Sequence, residues 1–174
     1  QAGLQAQGNN SVGVGFAAGF NTQGAESVAV GNSAGAQLQG TQSVAVGRLS
    51  GASSQGTQSV AVGYQAGNTG QGANSVCIGY TAGSLNAGAN SVCIGSGSNV
   101  GSGTGSVVIG SGAFGNNFSN SIVLGQGASA NANGQVVLGS AGFPLTTAGV
   151  AGVINSYLSV RVNGTLLKIP LFNP

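Results

Sequence analysis

The groups able to do chemistry in this 174-residue chain are few: Glu26, Arg48, Arg161, Lys168 and the thiols of Cys77 and Cys93, with no His and no Asp. General acid–base catalysis needs His, carboxylate or Lys groups within hydrogen-bond reach of one another, and a metal site needs clustered His, Cys or carboxylate ligands. One carboxylate and two thiols build neither, so no enzyme, cofactor or metal site is expected. A net charge of +2 is too weak for a nucleic-acid surface. No run of 18 apolar residues is present, so no membrane insertion is expected either. The chain has no Met, which reads as a processed or excised segment.

The two thiols sit 16 residues apart, and that spacing belongs to the whole sequence. SVGVG (11–15), SVAVG (27–31, 43–47 and 59–63) and SVCIG (75–79 and 91–95) recur every 16 residues, and SVVIG (106–110), SIVLG (121–125) and QVVLG (135–139) continue at 15, 15 and 14. Other columns keep step. Gln7, Gln23, Gln39, Gln55 and Gln71 each precede a Gly, as do Ala18, Ala34, Ser50, Ala66 and Ala82. Each copy alternates bulky and small residues with the period of a strand, between Gly, Asn, Ser and Gln turn formers. The fold class is therefore all-β: a parallel β-roll or solenoid of about nine coils, stacked at about 4.8 Å.

Alternation also divides the strand into two faces. The bulky set, Val28, Val30, Val44, Val46, Val60, Val62, Val76, Ile78, Val92 and Ile94, is expected to fill the coil core. The small slot between them holds Ala29, Ala45, Ala61, Cys77, Cys93, Val108, Val123 and Val137. Being apolar throughout, it is expected to be a subunit interface, which predicts a homo-oligomer; the other reading is an exposed face that tolerates small residues. Cys77 and Cys93 are close enough in such a stack for a disulfide, or serve as small apolar fillers. The column Asn10, Glu26, Gln42, Gln58, Asn74 and Asn90 reads as an amide ladder satisfying the turns.

The copies SVAVGNSAGAQ, SVAVGRLSGAS and SVAVGYQAGNT, preceded by Glu26, Gln42 and Gln58 where most other copies have Asn, resemble the head repeats of YadA-type trimeric autotransporter adhesins over about residues 8–140. Similar repeats occur in viral fibre proteins. The resemblance implies a left-handed parallel roll, three of which pack into a trimeric head that binds host surfaces or matrix proteins. A somewhat shorter period is usual in that family.

The pattern ends at Gly142, giving a repeat domain (1–142), a connection (143–156) and a terminal segment (157–174). YLSVRVNGTLLKIPLF reads as a β-hairpin turning at Asn163-Gly164, with Leu158, Val160, Val162, Leu167 and Ile169 on its apolar side. It is read as a cap over the last coil or as a connector that joins copies end to end into a filament. Together these features predict a non-enzymatic extracellular structural or adhesive protein, the head or shaft of a fibre on a cell or virion. The alternatives are a self-polymerising filament subunit and, less well supported by a Thr column of only Thr41 and Thr57, an ice-binding solenoid.

Overall fold

The computed structural model describes residues 2, 3 and 5–142, together with the backbone of strands Tyr157–Val162 and Thr165–Pro170. The chain divides into two compact units, Gln1–Pro144 and Leu145–Pro174.

The first unit is a parallel β-solenoid. Its main sheet has nine three-residue strands, running in spatial order from Val12–Val14 to Val136–Leu138 with each copy beside the next. Pairing is in register, Val44 to Val60, Ala45 to Ala61 and Val46 to Val62, so every sequence column becomes a column in space. A second, shorter sheet pairs Ala6–Gln7, Thr22–Gln23, Gln37–Gln39 and Ser53–Gln55, and continues as single bridges from Ser53 to Thr69 and Thr69 to Leu85. The early coils thus consist of two short strands and two turns, and in the later ones the second strand is reduced to single bridges, as from Asn99 to Phe114 and Phe114 to Ser129.

The turns explain the repeated residues. Gly47 sits at φ +123°, and a Cβ there would lie 2.6 Å from the carbonyl oxygen of Gly63 in the next coil. Only glycine meets both demands. At the other turn, Ser43 and Ser59 are fully buried and donate their hydroxyls to Gly40 O and Gly56 O, each at 2.6 Å. Glu26, Gln42, Gln58, Asn74 and Asn90 occupy the left-handed region there, at φ from 55° to 57°. Their side chains bond one another rather than the turn backbone: Gln42 Nε2 donates to Glu26 Oε2 at 3.0 Å and Gln58 Nε2 to Gln42 Oε1 at 3.3 Å.

The packing reverses the two faces expected from the sequence. Ala29, Ala45, Ala61, Cys77, Cys93, Val108 and Val123 are fully buried inside the coils, so the small slot is the core and cannot be a subunit interface; Val137, in the last coil, is partly buried and packs against the same cluster. The residues assigned to the core, Val28, Val30, Val44, Val46, Val60, Val62, Val76, Ile78, Val92 and Ile94, point outward and are part-exposed or, for Ile78, exposed. The cause is the width of the roll. In this roll each three-residue strand of the main sheet turns its middle side chain inward and the other two outward, and the two sheets lie too close to admit two bulky side chains per strand between them.

What shares the interior shows the limit on volume. Gln39 Nε2 crosses the coil to donate to Val28 O at 2.8 Å, and Gln55 and Gln71 reach Val44 O and Val60 O at the same distance. Coils crossed by a buried Gln carry Gly13, Ala29, Ala45 or Ala61 in the middle slot. Where Ala87 takes the position of Gln71 the slot becomes Cys77, and further along it is Val108 or Val123, beside Ala113, Ala128 and Ala130. A large group on one sheet is matched by a small one on the other, as close packing requires.

In the second unit, Tyr157–Val162 pairs antiparallel with Thr165–Pro170, setting Val162 opposite Thr165, Val160 opposite Leu167 and Leu158 opposite Ile169. The turn 163–164, the connection 143–156 and the side chains of the hairpin lie outside the described residues.

Candidate functional site

Two surfaces of the solenoid carry chemistry that its fold does not consume. The first is the outer face of the main sheet. Each strand presents its first and third residues there, so the nine strands lay out a double row of Val, Ile and Leu about 40 Å long at about 4.8 Å per rung. Val14 is 55% exposed and Val136 62%, while Ile78, Ile109, Ile122 and Leu138 are also exposed. A continuous apolar strip of this kind is uncommon on a soluble monomer and marks an interaction surface.

The second surface borders the first. The residue following each of the first eight pentapeptides forms a turn column: Phe16, Asn32, Arg48, Tyr64, Tyr80, Ser96, Ser111 and Gln126. Its register is held by the backbone, because the carbonyls from Phe16 to Ser111 each accept from an N–H of the next coil, Thr81 N to Tyr64 O and Gly97 N to Tyr80 O both at 2.8 Å, and Gln126 O accepts the Ser140 hydroxyl at 2.9 Å. Stacking at the rung spacing then brings rings face to face. Tyr64 and Tyr80 lie with centroids 5.2 Å apart and planes 10° from parallel. On the far side of Tyr64, the Arg48 guanidinium stands 5.5 Å from its ring centroid and donates from Nη1 to its hydroxyl at 3.2 Å. Sequence reasoning passed over this column. Its signal was variation across chemical class and size, from Phe16 to Asn32, Arg48 and Tyr64, which a side chain facing solvent tolerates.

The interior thiols are free and fully buried. A hydrogen bond to Cys93, together with burial, holds the Cys77 thiol well above its ordinary range, so it stays protonated. No group of three or more His, Cys, Asp or Glu side chains that could hold a metal ion occurs among the described residues.

No protein-family model matches the chain, and no curated protein matches it. Among solved structures, the collagen-binding domain of the Yersinia adhesin YadA is similar over 85% of this chain and 91% of that domain, at 25% identity and a TM-score of 0.47. The repeats resemble YadA-type head repeats. The likeness lies in the Asn or Gln before most of the pentapeptides and the small residues after them, in a chain that is itself an all-β parallel solenoid.

Proposed function

We propose that this chain is a non-enzymatic, extracellular building element of a surface fibre, assembled as a homo-oligomer and serving in attachment. The observation that carries the reading is the outward double row, from Val12 and Val14 to Val136 and Leu138. Facing water, it would be an aggregation hazard; facing its own copies, it buries a ladder that is self-complementary because every rung is alike. The occupant is thus a second and a third copy of this chain around a common axis. Three is the number that the resemblance to trimeric adhesin heads implies. The small-residue slot, which first suggested the interface, lies within the roll, and the bulky face takes over its role.

The test is assembly. Light scattering of the purified chain is expected to give the molar mass of a trimer. Replacing Val46 and Ile94, which are outward and two coils or more from either end of the sheet, by Asp sets charges into the buried strip and is expected to release monomers. A wild-type chain that runs as a stable monomer would remove the basis of the proposal. End-to-end threads in micrographs would instead favour the filament reading, with the hairpin as connector.

A further inference from the structure

We infer that the open face of Tyr80, with the shelf beyond it, is a binding site for a neutral saccharide. The column Arg48–Tyr64–Tyr80 is a stack with one closed end and one open end. Arg48 covers the outer face of Tyr64, and Tyr80 covers the inner one. On the next rung the column changes to Ser96, which has no ring to continue it, and Tyr80 is left 60% exposed. The rung after that is Ser111, and the next side chain with any length is Gln126. Tyr80 and Gln126 are three rungs apart, about 14 Å at the parallel-sheet spacing. Below this gap the floor is Gly97 and Gly112, whose absent side chains would meet nothing within 4 Å. The result is an aromatic wall standing over a step lined with hydroxyls and backbone.

The chemistry of the step selects its occupant. A ring placed on Tyr80 at the spacing of the Tyr64–Tyr80 pair, 5.2 Å, lies over Ser96. Only one of its faces is covered, and its rim meets the Ser96 and Ser111 hydroxyls and solvent. A pyranose suits this arrangement, because its C–H face takes the aromatic contact while its hydroxyl rim keeps hydrogen-bond partners and pays little desolvation. An apolar side chain would leave most of its surface in water. Among the described residues an ionic ligand finds no partner, since Arg48 lies two rungs back and is already engaged with Tyr64. The gap has the length of one or two sugar units. This gives the attachment reading a ligand class, and it rests on that reading in one respect: the turn column, two residues beyond outward Ile78, must remain open when copies assemble.

The experiment is saturation-transfer NMR on the full chain with methyl glucoside, methyl galactoside, N-acetylglucosamine and lactose at millimolar concentration, with N-acetyl-tryptophanamide as the aromatic probe. At least one saccharide is expected to show transfer to its C–H face. Tyr80→Ala is expected to weaken that response about fivefold to tenfold, as loss of one ring contact does, and Tyr80→Phe to retain it. Ser96→Tyr extends the protein's own stack into the step and is expected to block binding; coils four and five already carry Tyr in this slot, so it folds. No saccharide response in the wild type, an unchanged response in Tyr80→Ala and Ser96→Tyr, or a response to the tryptophan amide alone would each overturn the assignment. Light scattering on the same samples separates the two readings. A monomeric wild type that still binds saccharide through Tyr80 defeats the assembly proposal only, whereas a trimer in which the Tyr80 ring is shielded from acrylamide quenching defeats the saccharide site only.

Discussion

Exchanging volume between the two sheets is the sharpest probe of the interior. Ala61 and Gln71 face each other in one coil, both essentially inaccessible, with Gln71 Nε2 donating to Val60 O at 2.8 Å. Ala61→Val adds two methylenes to a space already filled by the amide, an overpacking that costs about 1–3 kcal/mol. Gln71→Ala removes the amide bond and opens a void, a loss of about 2–3 kcal/mol. The double variant approaches what the chain itself does further along, where Val123 is buried in one cluster with Ala130 and no Gln. Valine then fills the void, regaining about 0.8 kcal/mol per buried methylene, and the clash disappears. The double variant should therefore be more stable than the sum of the singles by at least about 1.5 kcal/mol. Denaturant unfolding of the four proteins at one protein concentration measures the coupling, since assembly adds a concentration-dependent contribution. Additivity within about 0.5 kcal/mol would refute the account of the interior as a shared, fixed volume.

Two further outcomes follow from the turns and the thiols. Thr81 holds φ +52° where the equivalent positions in later coils are Gly97, Gly112 and Gly127, so Thr81→Gly should raise stability by about 1 kcal/mol in thermal unfolding, the strain of a β-branched residue in the left-handed region outweighing glycine's entropy. The Cys77 thiol is pushed up in the folded chain by its hydrogen bond to Cys93 and by burial, so its proton is retained where the unfolded chain, with an ordinary thiol near 9.0, gives it up. That contribution is intact below pH 9 and fades as pH rises further, by about 1.4 kcal/mol per unit, and Cys77→Ala should flatten the decline in melting temperature over that range.

The period, the strand positions and their parallel in-register stacking were legible in the sequence because each depends on spacing alone. The nine pentapeptide copies fix where the strands begin, and Gly47 or Gly63 fixes where they must turn. Which face looks inward was not legible from alternation, since Val44-Ala45-Val46 alternates equally well either way round. The deciding quantity is the distance between two sheets, and that is a property of the closed coil. Its trace was nevertheless present in two columns considered apart: the Gln column stops at Gln71, and the slot turns from Ala61 to Cys77 one coil later. Read together, they say that these side chains compete for one volume. The outward double row was visible as residues and misplaced as a face. The stack at Tyr64 and Tyr80 needed the register of the turn as well as that of the strand, which the pentapeptide pattern does not supply.

The scarcity of charge acquires a positional meaning in this geometry. In-register stacking turns any side chain that recurs in the repeat into a column of neighbours one rung apart, and like charges at such a spacing repel by about 1 kcal/mol per pair even in water. Columns are therefore tolerable only where a group is content beside its own kind. The structure fills them accordingly, with aliphatics against aliphatics on the sheet face, amides donating to their column neighbours, from Gln58 to Gln42 to Glu26 and from Asn74 to Asn90, and rings on rings at Tyr64 and Tyr80. Each of the two charges in the solenoid heads such a series as an acceptor or donor to the next rung, Glu26 toward Gln42 and Arg48 toward Tyr64. Repetition thus leaves little freedom for surface chemistry within a column. What remains free is where a column changes identity, and along the turns the largest such change is the step from Tyr80 to Ser96. If this solenoid recognises anything by its side, that step is where the chemistry needed for selection is found.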